Sequence, residues 1–159
     1  MVTLASAGAL ALGLAASQAS AEAHEEAEAA PVMVEMSAED IVRARRTTYF
    51  LSTQAVGQIK AGIDEGGDLR RTRGGARMLA RWAEALPSMF PEGTDIEGSR
   101  ALATVWSDRE GFEAAAEAYR AAAQNVAETA ATGDREATNA AFMTMAGTCH
   151  ACHEAYRAK

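Results

Sequence analysis

The chain has 159 residues, 48% of them apolar but only 6% aromatic, and a formal charge of -7. That length suits one domain able to bury a sizeable core, and the acidic balance argues against a nucleic-acid partner, which calls for a basic face. Because the apolar share rests on alanine, a small and strong helix former, the composition favours closely packed helices over sheets.

The N-terminal residues 5–16, ASAGALALGLAA, have the length of a signal-peptide apolar region and are too short to span a bilayer; Ala19-Ser20-Ala21 supplies a small-x-small cleavage site. Residues 1–21 are thus expected to be an export signal cut after Ala21, with delivery to the periplasm, although no Lys or Arg precedes the apolar run. Residues 22–36, EAHEEAEAAPVMVEM, form an acidic leader in which His24 has no assigned role, and 37–159 form the folded domain.

From Ser37 the pattern is helical. Ser37-Ala38-Glu39-Asp40 is a helix start, and Ile41, Thr48, Tyr49, Ser52, Val56, Ile59 and Ile63 follow at three-to-four spacing until Gly66-Gly67. A second helix over about Asp68 to Leu86 places Met78, Leu79, Trp82, Ala85 and Leu86 inward and stops at Pro87 and Pro91. Its arginines 70, 71, 73, 77 and 81 read as a solvated face or a docking patch. FPEGTDIEGSR (90–100) is a loop. Ser107-Asp108-Arg109-Glu110 has capping-box form and opens a third helix carrying Phe112, Ala115, Tyr119, Ala122 and Val126, which Gly133-Asp134 breaks. The fourth helix has the stripe Phe142, Met145, Cys149, Cys152 and Tyr156. With no period-two segment, the expected fold is all-α: an antiparallel, up-down four-helix bundle.

That last stripe contains the only two cysteines of the chain and leads to the segment GTCHACHEAYR (147–157). On a helix, Cys149, Cys152 and His153 stand at i, i+3 and i+4, so two thiols and an imidazole leave one face within a turn. Covalent haem c fits this set: each thiol adds to a vinyl group and the adjacent imidazole takes an axial position on the iron, which is the signature of C-x-x-C-H. A thioredoxin-like pair belongs instead at a helix N-terminus after a strand, a structural zinc site wants four ligands and beyond this cluster has only the remote His24 to draw on, and a local disulfide leaves His153 unexplained. His150 reads as an outward spacer.

The ending CHACHEAYRAK resembles the C-x-x-C-H-x-x-Y-R/K terminus of the cytochrome c′ family of exported class II c-type cytochromes. The likeness extends through RARRTTYFLSTQAVGQIKAGI, FPEGTD and VWSDREGF, from near Ser37 to the end of the chain. The resemblance implies one covalently attached haem c on Cys149 and Cys152, His153 as the metal ligand, Arg157 beside the proximal imidazole, Arg45 near a haem propionate, and Tyr49 in the distal pocket. Tyrosine stands where related bundle cytochromes carry methionine, and no Met or His lies on the inward face of the first helix, since Met33 and Met36 precede it; the iron is therefore expected to be five-coordinate. The implied role is binding of NO and CO with poor retention of oxygen, by a homodimer packed through the first helix and without enzymatic activity. The competing expectation is an electron carrier cycling Fe(III)/Fe(II) with a redox protein partner.

Overall fold

The computed structural model describes residues 36–159. The expected signal peptide and all but the last residue of the acidic leader lie outside the described residues.

Helix α1 (Ala38–Asp64) starts where Ser37 Oγ accepts the Asp40 amide, with Glu39 and Asp40 placed to complement the positive end of the helix dipole. Its 27 residues make a rod of about 40 Å. Helix α2 (Leu69–Ala85) is capped by Asp68 Oδ1 on the Arg70 amide and ends at a 3-10 turn, Pro87–Met89, because proline cannot continue the hydrogen-bond ladder. A single helical turn, α3 (Thr104–Ser107), precedes α4 (Arg109–Thr132). The cap of α4 is Asp108, whose carboxylate accepts the Gly111 amide, and Gly133 at φ +80° stops it. Asp134 caps the last helix, α5 (Arg135–Tyr156).

The four long helices form the expected bundle; the only β feature among the described residues is an isolated antiparallel bridge between Ala101 and Arg157. The helices pack chiefly as α2 on α4, α4 on α5 and α1 on α2, while α1 and α5 scarcely touch. One core cluster gathers Ile59, Leu79, Val126, Phe142 and Met145; a second gathers Trp82, Leu86, Phe90, Val105, Phe112 and Tyr156. Burying a side chain such as Leu79 or Phe112 completely contributes about 1.5–3 kcal/mol.

Two inward expectations for α2 fail: Met78 and Ala85 are exposed, and Leu69, Thr72, Ala76, Ala80 and Ala83 are buried instead. The small residues let α2 lie close to α1 and α4, which turns the flexible Met78 outward. In α1, Val42 and Ala55 are buried as well as Ser52, Ile59 and Ile63, whereas Ile41, Thr48 and Val56 are half-buried and Tyr49 more exposed still.

Candidate functional site

The last turns of α5 bring the cysteine-histidine cluster to the gap between α5 and α1. Met145 and Tyr156 are buried, while Cys149, Cys152 and His153 are half-buried with both thiols free. His150 points away, exposed beside Glu154 with Nε2 to Oε1 at 3.3 Å. The end of this helix is clamped by the 100–104 segment. Leu102 N donates to Tyr156 O at 3.0 Å, Ala158 N to Arg100 O at 2.8 Å, and Thr104 Oγ1 to Ala155 O at 2.7 Å. Carbonyls that a helix C-terminus otherwise leaves without partners are thereby satisfied, and the turn bearing His153 is held in place.

Because α1 and α5 scarcely touch, a cavity of about 630 Å³ opens between them, within the roughly 300–1,000 Å³ usual for a cofactor-sized ligand. Cys149, Cys152, His153 and Arg157 line it from α5; Arg45, Tyr49, Ser52 and Val56 from α1; Trp82, Phe112 and Tyr119 complete the walls. The aromatic members of the second core cluster thus double as cavity wall. The donor set fits haem c: a large pocket, apolar for most of its lining, with two thiols and an imidazole of one helix turn on one side.

Desolvation sets the charge states. Burial pushes the thiols of Cys149 and Cys152 up, so they are neutral at pH 7. Burial, then the neighbouring Arg157 guanidinium, holds the His153 imidazole below its ordinary value, which favours the neutral, ligand-competent form. The Tyr49 phenol is pushed well up, first by burial and then by the nearby Cys152, and stays protonated.

Arg45 occupies a place that sequence reasoning did not foresee. It is only 3% exposed and stacks on the Phe90 ring at 4.1 Å from the centroid. Its guanidinium donates to Met89 O, Thr94 Oγ1, Thr94 O and Ser99 Oγ at 2.9–3.3 Å. Arg45 therefore pins the 89–99 loop to α1 while also lining the cavity, and no carboxylate is among these partners. Arg157 is exposed at the cavity edge.

Trp82 was expected only as core. Its indole is 8% exposed, and Nε1 is the one buried side-chain polar atom among the described residues without a hydrogen-bond partner. Leaving such a donor unpaired costs about 1–3 kcal/mol. The Trp82 ring meets Tyr49 edge to face, centroids 5.5 Å apart and planes at 89°. The signal in the sequence was a large aromatic amid the small residues of α2, but nothing local says that it faces a cavity.

Comparison with known proteins places these features in a family. Residues 40–157 match the family model described as Cytochrome C'. Over 84 residues the chain is 40% identical to cytochrome c′ of Rhodospirillum rubrum, a match covering 52% of this chain and 57% of that protein. The chain thus aligns with little more than half the length of that curated relative. A solved cytochrome c′ with an unusual ligand-controlled dimer dissociation superposes with a TM-score of 0.73 at 28% identity, covering 79% of this chain and 99% of the other. A nitric oxide complex of a cytochrome c prime mutant from Alcaligenes xylosoxidans gives 0.70 at 26% identity, covering 79% and 100%. A carbon monoxide-bound variant of that protein gives 0.69 at 26% identity, covering 77% and 98%. With its four-helix architecture, its cavity between α1 and α5 and the match over 40–157, this chain belongs to the cytochrome c′ family, and its cofactor is covalently attached haem c.

Proposed function

We propose that the protein is a periplasmic gas-binding module, exported with cleavage after Ala21, in which Cys149 and Cys152 form the thioether bonds, His153 is the sole protein ligand to the iron, and the Tyr49 side of the cavity receives a diatomic gas, chiefly NO or CO. Haem c bound there supplies an iron with one coordination position free for the gas. The observation that carries this reading is the wall contributed by α1: Arg45, Tyr49, Ser52 and Val56 line the cavity, and no histidine or methionine of that helix does.

The residues divide the work. Neutral His153 offers a nitrogen lone pair, and the clamp on the last turn of α5 orients it. Tyr49, whose phenol is protonated near neutral pH and pushed further up by desolvation, is not a phenolate ligand; its ring narrows the space and so favours slim diatomics over larger molecules. Arg45 is buried without a carboxylate among its protein partners, and a haem propionate near it would supply counter-charge. Arg157, on the proximal side, adds to burial in favouring the unprotonated imidazole. Electron transfer is a subsidiary capacity of this site, with a redox protein as the partner.

The described residues contain no helix long and apolar enough to cross a membrane. Phe50 and Leu51 are exposed side by side on α1 and suit the contact of a homodimer. Sedimentation tests this: Phe50→Glu is expected to lower the mass to that of a monomer, and a monomeric parent protein removes the dimer.

Visible spectra of the exported, haem-loaded protein test the main reading. A high-spin ferrous spectrum that changes on adding CO or NO is expected. A low-spin ferrous spectrum indifferent to either gas means a second protein ligand and overturns it.

A further inference from the structure

Trp82 poses a problem that packing alone does not answer. Its Nε1–H has no hydrogen-bond acceptor among the protein atoms of the described residues and almost no accessible surface, although the residue lines the cavity. The other tryptophan, Trp106, shows the ordinary solution: its Nε1 donates to Pro91 O at 3.0 Å. Buried donors without partners are rare enough that each calls for a reason. What lies against Trp82 is the Tyr49 ring, perpendicular to it with centroids 5.5 Å apart. A perpendicular pair puts the edge of one ring on the face of the other, and an aromatic face is a weak acceptor for N–H.

We propose that the Trp82 indole N–H rests on the face of the Tyr49 ring and holds that ring across the cavity, making Trp82 a positioning residue that sets how readily a gas reaches the site. Tyr49 alone is a poor gate, because its side chain turns about two bonds and one side of it faces the cavity. Trp82 is held firmly by contrast, 8% exposed and packed in the second core cluster with Leu86, Phe90 and Phe112. A rigid indole thus fixes a mobile phenol. When the ring swings aside to admit a ligand, the contact breaks and the N–H is uncovered toward the space vacated, where it can donate to a polar ligand.

The kinetic arm of the test rests on the gas-binding reading; the spectroscopic arm does not. Both use the haem-loaded protein. Stopped-flow mixing of the ferrous form with CO is expected to show association about two- to fivefold faster in Trp82→Phe, which keeps an aromatic ring but loses the N–H. Ultraviolet resonance Raman of the gas-free protein is expected to show two indole N–H environments, the strongly bonded one disappearing in Trp106→Phe. The other is expected to shift in Tyr49→Leu and to return in Tyr49→Phe, which restores the aromatic face. An unchanged association rate in Trp82→Phe, or a Trp82 band indifferent to Tyr49→Leu, overturns the proposal. If the parent protein takes up no CO, the gas-binding reading fails, and the Raman bands alone decide whether Trp82 holds Tyr49.

Discussion

The Tyr156 hydroxyl donates to Asp108 Oδ2 at 2.8 Å, joining the last turn of the haem-bearing helix to the cap of α4 across 48 residues of sequence. Asp108 uses its other oxygen to accept the Gly111 amide, so one carboxylate both starts α4 and anchors α5. The pair ties the turn carrying His153 to α4, the helix that packs on both α2 and α5.

Tyr156→Phe is expected to lower unfolding free energy by about 1.5–3 kcal/mol, the usual worth of a hydrogen bond to a charged acceptor. Asp108→Ala is expected to cost more, since it also removes the α4 cap, itself worth roughly 1 kcal/mol. Urea unfolding followed by circular dichroism measures both. A double variant whose loss equals the sum of the single losses shows that the two residues are uncoupled.

Gly111 sits where a side chain does not fit: an added Cβ lies 2.6 Å from the Tyr156 hydroxyl oxygen and closer still to Asp108 Oδ2. Helix propensity predicts a gain of about 1 kcal/mol for Gly111→Ala, whereas the clash predicts a larger loss. We expect the loss to win, with net destabilisation of about 1–2 kcal/mol. Gly74→Ala is the control, since nothing lies within 4 Å of its Cβ position; it is expected to stabilise by up to about 1 kcal/mol. Equal thermal shifts for the two variants contradict the packing argument.

Arg45→Met removes a buried donor from four acceptors of the 89–99 loop. Destabilisation of about 2–4 kcal/mol is expected, because Met89 O and Thr94 O lose their partner while the burial cost of the charge is relieved. Arg45→Lys is expected to recover little, since a single ammonium does not reproduce the planar fork that meets those atoms. Limited proteolysis gives an independent reading: cleavage within 89–99 is expected in both variants and not in the parent.

All three tyrosines have phenol pKa values raised above the ordinary 10.0: Tyr49 and Tyr119 mainly by burial, Tyr156 by its hydrogen bond to Asp108. A folded-state pKa above the unfolded value contributes stability that is complete below pH 10 and is lost as pH rises through the raised values. Tyrosinate absorbance is therefore expected to grow together with loss of helix on the alkaline side of pH 10. Phenols that ionise reversibly near pH 10 with the helical signal intact overturn this.

Much of the molecule is legible in the chain alone. The caps Ser37, Asp68 and Asp134, the breaker Gly133 and the three-to-four spacing of Phe142, Met145, Cys149 and Cys152 act within a turn or two, so helix limits and the shared face of the thiols and His153 follow from neighbouring residues. The same local rule falters in α2, where an alanine-rich surface offers more than one apolar face and contact with α1 and α4 selects the one without Met78 and Ala85. It gives no account of Arg45, whose four acceptors lie 44 to 54 residues away, nor of Trp82, whose missing acceptor is evident only once Tyr49 is seen against it. Period and capping are properties of a short segment, whereas a cavity exists only where two distant helices fail to meet, and that separation is set by the packing of all four.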